Sequence, residues 1–311
     1  MPTQSIRPCQ TFQSNASDPA VISSFDMPGL SYVDEPIEQV RKMVPGLDPV
    51  KVEASPDPDR AGAATPSQDE TKFILSKTSA AVAYMVHRMP NLIATEDVRD
   101  LIKIDGSNYY NTRSYNYAIV HRQTPLSDDP FAEFRTDARG QPISYSPDDP
   151  ARPVDVGFAT TWQFFIPSKL HESRFRYLGQ QSVGHVKTYV LAFAQIPGKA
   201  GLRAVIYYPS GRCSTALQGV AWIDQSTFQI VRMQTDLLSP LPAIQLYQLR
   251  SILTYRPVKI HGLKLSLWLP RDVENTWEPA LQFVEEFHRY SHYRLFKSNV
   301  RILPGFKPLR K

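Results

Sequence analysis

Apolar and polar positions along the chain change their spacing at two places, near residues 66 and 92. Through residue 66 there is almost no period. Ten prolines fall there among Ser, Asp and Ala, as in Ala54-Ser55-Pro56-Asp57-Pro58-Asp59. Such a stretch buries too little apolar surface to offset its ordering entropy, so residues 1–66 read as a flexible tail. One island departs from this. Glu35 to Val44 carries Ile37, Val40 and Val44 at helical spacing, a short docking helix or, the reading favoured by its setting, a transient helix in the tail.

From Glu70 to His87, Ile74, Thr78, Ala81 and Met85 recur at helical intervals, flanked by Phe73, Ala80 and Tyr84. Thr65 to Glu70 supplies cap residues, a proline and first-turn acids, and the pattern closes before Pro90. This is an amphipathic helix that needs a sheet to lie on.

After Leu92 the period shortens to that of strands. Ile93–Ile104, Tyr115–Arg122 and Phe131–Arg135 are strands, Tyr145–Pro153 is a loop, and Asp155–Ile166 is either a short helix or an irregular apolar segment. In the second half, Val186–Ile196, Ala204–Tyr208, Val220–Asp224, Phe228–Asp236, Leu246–Ile260 and Leu263–Leu269 are rich in β-branched and aromatic residues, and Phe287–Ile302 adds a last strand. Leu178 to Gly184 reads as two strands joined by a turn.

Two hairpins can be written pair by pair. Around Gln225-Ser226, Ile223 faces Phe228 and Ala221 faces Ile230, with Trp222 and Val231 on the other side. Around His261-Gly262, Ile260 pairs with Leu263 and Val258 with Leu265. That register sets Lys259 against Lys264, a like-charged pair tolerable only in solvent, so the apolar side faces inward and Tyr255 and Trp268 lie outside. Consecutive hairpins after one helix predict an α+β, mainly antiparallel domain over residues 67–304, closed by a short basic tail at 305–311.

Composition narrows the function classes. The 311 residues include 27 prolines and 14 glycines, which disfavours long helices, and the mean hydropathy of −0.32 suits a soluble chain. Lys and Arg are scattered, so the net charge of +5 does not predict a nucleic-acid face. No run of about 18 apolar residues predicts a transmembrane helix. Met1 to Asp18 lacks the apolar core of a signal peptide, which predicts a cytoplasmic protein unless a leader is missing from this sequence. Cys9 and Cys213 lack metal-ligand spacing, and two free thiols are favoured over a disulfide.

No catalytic or cofactor motif stands. His288 and His292 are four apart, with Glu285 and Glu286 upstream, but a strand separates such residues by about 13 Å and no third ligand is identifiable. His171-Glu172 begins H-E-x-x-H, yet the fifth position is Phe175. Asp224 reads as a turn residue beside Ser226 and Thr227 rather than as an acid or base. The expectation is therefore no catalytic residue, no metal and no cofactor.

Trp222-Ile223-Asp224 with Ile230-Val231-Arg232-Met233, Val258 to Gly262, and Leu267-Trp268-Leu269-Pro270 resembles the outer-membrane lipoprotein-sorting (LolA-like) superfamily and uncharacterised exported bacterial proteins of that type. Met89 to Leu92 and Tyr290 to Phe296 add to the likeness, which spans about residues 70–303. The resemblance implies a curved sheet, an incomplete barrel covered by one or two helices, and a periplasmic or secreted location. It also implies an apolar cavity that in carriers holds acyl chains. The resulting expectation is a non-enzymatic envelope protein binding a lipid, acyl chain or other apolar partner. Its apolar ligand face would be Ile223, Phe228, Ile230, Val258, Ile260, Leu263 and Leu265. The alternative is a structural interaction module, with Tyr255 and Trp268 as an exposed partner patch.

Overall fold

The computed structural model describes residues 31–44, 68–122, 130–141, 143, 157–201, 204–208, 211–279 and 282–296. Cys9, the cap at Thr65 to Ser67, the loop Tyr145–Pro153 and the basic tail 305–311 lie outside the described residues.

Ten strands form one antiparallel sheet. In chain order they are β1 (Leu92–Ile104), β2 (Ser107–His121), β3 (Phe131–Thr136), β4 (Ser173–Val183) and β5 (Val186–Gln195), then β8 (Leu217–Asp224), β9 (Ile230–Leu237), β10 (Leu246–Lys259), β11 (Ser266–Pro279) and β12 (Gln282–Leu295). Their spatial order is β3-β2-β1-β12-β11-β10-β9-β8-β5-β4. The last strand pairs with the first, so β12 joins the two halves of the chain, and the sheet stays open with β3 and β4 as its edges. The fold is a curved half-barrel. Between β5 and β8 a separate hairpin pairs β6 (Ala204–Tyr208) with β7 (Gly211–Thr215). Cys213 thus sits in a strand rather than beside a turn.

The expected long helix is α2 (Gln68–Arg88). Ile74, Thr78 and Met85 are buried as the spacing predicts, but Val82 and Ser79 complete the inward face while Phe73, Ala80 and Tyr84 are exposed. Under α2 a 3-10 helix, Phe158–Phe165, settles the ambiguous segment before β4. Its Trp162 meets Phe131 edge-on at 6.0 Å, and Phe164 lies 4.8 Å from Phe193. These rings fill the inner face of the sheet together with Leu191, Ala221, Met233, Leu253 and Leu269.

The outer face of β4, β5, β8 and β9 is also covered. Val190, Ala192, Val220, Trp222 and Val231 pack against Tyr32, Val40 and Val44. The covering element is α1 (Ile37–Met43) with the turn before it. Part of the expected tail is therefore a docked strap. Arg174 pairs with Asp34, Arg176 donates to the Glu35 carbonyl at 2.5 Å, and the Tyr32 hydroxyl donates to Asp236 at 2.6 Å. Burial on both faces explains why β5 and β8 read as nearly continuous apolar runs.

Both predicted hairpins are out of register, by two residues at Ile223 and Val258 and by three at Ala221, which lies opposite Met233 rather than Ile230 across a bulge at Trp222/Ile223. Ile223 lies opposite Ile230, not Phe228, and Val258 lies opposite Leu267, not Leu265. The connections are longer than two residues, and Lys259 meets Ser266 instead of Lys264. A two-residue slip keeps every side chain on its face, so the inward assignment of Ile260 and its neighbours holds. The placement of Tyr255 does not. A bulge at Thr254/Tyr255 accompanies a Tyr255 that is buried inside and donates to the Phe158 carbonyl at 3.4 Å, while Trp268 stays half-buried on the outer side. The proposed partner patch of these two rings is not formed. The stretch Leu178–Val183 belongs to the single strand β4, and β12 starts at Gln282 rather than Phe287.

Candidate functional site

The tips of hairpins β8–β9 and β10–β11 lie at the same end of the half-barrel as α2. Here the seven expected ligand-face residues come together. Ile223, Ile230 and Ile260 are buried in the inner core, and Phe228, Val258, Leu263 and Leu265 pack against it while remaining partly accessible. An aromatic series crosses this mouth. Phe73 of α2, itself 50% exposed, meets Phe228 edge-on at 5.9 Å. Phe228 stacks on Tyr189 at 6.1 Å, and Tyr189 meets Tyr177 at 6.1 Å.

The position of Phe228 has a cost. Its φ of 57° lies in the left-handed region, which disfavours a side chain by about 1–2 kcal/mol. The turn enforces it: the Asp224 carbonyl accepts from the Phe228 N–H at 2.9 Å, and the Asp224 carboxylate accepts from the Ser226 N–H and hydroxyl, each at 2.7 Å. Although partial burial would raise the Asp224 carboxyl, hydrogen bonds from Ser226 and Thr227 hold it below the ordinary range. Asp224 is a turn residue, as expected.

At the other side of the inner face, β1, β2, β3, β11 and β12 bury a charged network that the sequence reading missed. Glu96 is its centre. Arg135 donates to both of its oxygens, at 2.5 and 2.7 Å, Tyr290 donates at 2.7 Å, and His288 Nδ1 lies 3.0 Å away. Burial pushes the Glu96 carboxyl up, but Arg135 and then His288 outweigh it and bring it down to about 2. His288 Nε2 contacts Glu286 at 3.2 Å and Asn275 at 3.4 Å. Against burial, the bonds to Glu286 and Glu96 raise the imidazole above its usual value.

Glu133 anchors the 3-10 helix to the sheet. It accepts from the N–H groups of Gly157 and Ala159, at 3.0 and 3.2 Å, and from the hydroxyls of Thr160 and Tyr117. Burial nonetheless pushes its carboxyl up to about 7.

His288 and His292 do not converge. His292 sits at φ 52° in a bulge where Thr95 pairs with Ser291 and Ile93 with Arg294, and it is exposed. That bulge turns both Tyr290 and Tyr293 inward, three positions apart. Glu285 points outward and Glu286 inward. No three metal-ligating side chains gather among the described residues. Strand parity could have found Glu96 and Asp100, since both alternate with Leu92, Ala94 and Val98 on β1.

No protein-family model matches the chain, and no curated protein matches it. Among solved structures it is similar to a DUF1329 family protein from Desulfovibrio piger, at 12% identity over 72% of this chain and 92% of that one, with a TM-score of 0.39. A proposed outer membrane lipoprotein-sorting protein domain from Vibrio parahaemolyticus is 12% identical over 77% and 95%, with a TM-score of 0.38. A LolA superfamily protein from Nitrosomonas europaea is 12% identical over 74% and 94%, with a TM-score of 0.36. These are likenesses of fold.

Proposed function

We propose that this chain is a non-enzymatic binding protein that holds an apolar ligand, an acyl chain or a lipidated partner, between α2 and the inner face of the half-barrel. Ile223, Phe228, Ile230, Val258, Ile260, Leu263 and Leu265 are its contact face. The observation that carries this reading is the strained Phe228, whose ring joins the exposed Phe73 to Tyr189 at the mouth. A ring held there against its backbone preference, with partly accessible Leu263 and Leu265 in the same inner cluster, presents an apolar entrance rather than a sealed core. The competing reading, an interaction module using Tyr255 and Trp268, loses its patch because Tyr255 is inside. A cell-envelope location, which the sequence resemblance implies, belongs to the same proposal and is tested by fractionating cells that express the full chain.

Native mass spectrometry on protein purified without detergent, followed by organic extraction, tests the ligand directly. A bound lipid at stoichiometric amount, or uptake of a fluorescent fatty acid that Phe228→Ala weakens, supports the proposal. An empty protein that takes up neither fatty acid nor lipopeptide overturns it.

A further inference from the structure

One rung of the inner face is polar across five adjacent strands. Asp100 on β1 lies directly opposite Glu286 on β12, Glu286 opposite Asn275 on β11, Asn275 opposite Ser251 on β10, and Ser251 opposite Thr235 on β9. Directly opposed residues share a face about 5 Å apart, so the five side chains form a line roughly 20 Å long. All are buried, none more than 7% exposed. The neighbouring rung on one side runs Val98, His288, Val273, Leu253, Met233. On the other side lie Ile102, Val284, Trp277 and Leu249. Apart from His288 both are apolar, so the line is a polar track laid through a hydrophobic interior.

The track is incompletely satisfied. Asp100 Oδ1 and Asn275 Oδ1 are buried without a hydrogen-bond donor among the described residues. Both are acceptors. At its β1 end, Arg113 donates to the other Asp100 oxygen; the groove of about 390 Å³ that Arg113 lines with Asp97, Arg99, Thr112 and Phe287 opens on the outer face of the sheet. On the track itself the missing partners are donors, and the Asp100 and Glu286 carboxylates lie side by side, with Arg113, whose own Nε has no acceptor among the described residues, at the end of the line. Buried polar atoms otherwise almost always find partners.

We propose that this track receives the head group of an amphipathic ligand, one bearing hydrogen-bond donors, either ammonium or hydroxyl, and not a carboxylate or phosphate. The inference rests on the apolar-ligand reading above, with the chain of the ligand on the adjoining apolar surface. Asp100 supplies the charge selectivity and Asn275 the neutral acceptor. The groups facing Asp100 are Glu286 and His288 from β12 and Arg113 from β2. Burial and then Glu286 push its carboxyl up to about 6, so an ammonium ligand binds more tightly above that pH.

The test is calorimetric titration of the full chain with three twelve-carbon probes below their micelle concentrations: dodecylammonium, glyceryl monolaurate and laurate. Dodecylammonium and glyceryl monolaurate should each bind at least tenfold more tightly than laurate. Asp100→Asn, which keeps the shape, should cost the ammonium probe tenfold or more and leave the glyceryl probe within about threefold. Asn275→Leu should weaken both, and Ser251→Ala serves if that variant fails to fold. Equal affinity for the three heads overturns the head-group inference and leaves the apolar-ligand reading standing. Binding of none of them overturns both.

Discussion

Glu96 and Arg135 meet in a two-pronged ion pair with no exposed surface on either side chain, although β2 lies between their strands. The pair holds the β3 edge against β1 from inside, and Tyr290 and His288 extend it to β12. A buried pair of this kind contributes little beyond what an apolar pair would, but removing one partner strands the other charge. Arg135→Met should therefore destabilise the fold by about 3–5 kcal/mol. Glu96→Leu combined with Arg135→Met should cost much less than the single change. Urea denaturation of the two variants measures the difference.

The charged network also sets a pH profile. The Glu96 carboxyl is depressed to about 2, so its contribution is complete above the ordinary carboxylate range and is lost only as pH falls through 2. His288 is raised, so its contribution is present below about 6.5 and is lost as pH rises through its folded value. Asp100 and Glu133 are raised, to about 6 and about 7, so the folded state binds their protons more tightly and stability declines as pH climbs through that range. Stability should peak in mildly acidic buffer and fall between pH 5 and 8. Denaturation midpoints across that range check it, and Asp100→Asn should flatten part of the slope.

Gly219 shows what close packing demands at the inner end of β8. A Cβ there would lie 2.1 Å from the Gln234 carbonyl and 2.7 Å from the Phe193 ring. The carbonyl belongs to the backbone of β9 and cannot turn aside. Gly219→Ala should lower stability by about 1–3 kcal/mol, the range for overpacking a filled core. A thermal shift of the variant against the unsubstituted chain reads this steric cost directly, because Gly219 does not sit at positive φ.

How much of this was legible in the sequence depends on whether the information was local. The stripe Ile74, Thr78, Met85 gave the burial of α2, and period-two alternation gave the inward faces of β8 to β11. Register failed in both hairpins because neither turn carries an Asn-Gly or Asp-Gly pair that would fix a two-residue connection. Faces survived because the slip was even in the β10–β11 hairpin and a bulge at Trp222/Ile223 absorbed the odd residue in β8–β9. Tyr255 was misplaced by a bulge, for which Pro270 opposite it was the available signal. The charged network was half visible: Glu96 and Asp100 stand at inward positions of β1, but the partners of Glu96 come from β12, about 190 residues away, and from β3, while only Asp100 finds its partner, Arg113, on the adjacent β2. The strap around Tyr32 was hidden by its proline-rich surroundings, although Val40 and Val44 kept helical spacing.

That strap yields the last expectation. Tyr32 is 1% exposed on the outer face, its N–H donates to Gln218 at 3.1 Å, and its hydroxyl lies between Asp236 and Gln234 at 2.6 and 2.7 Å. Burial and then Asp236 push the phenol well above its usual range, so it stays a donor at every pH of interest. Tyr32→Phe keeps the ring packed and removes a hydrogen bond to a charged acceptor, a loss of about 1.5–3 kcal/mol, equivalent to roughly tenfold or more in the docking equilibrium. Hydrogen exchange should accelerate by at least that factor across residues 31–44. It should also rise in Val190, Val220 and Val231 beneath, while α2 and the inner face keep their protection. Exchange that rose equally everywhere would mean that the strap is part of the cooperative core; a rise confined to the outer face identifies it as a separately docked element over an apolar surface.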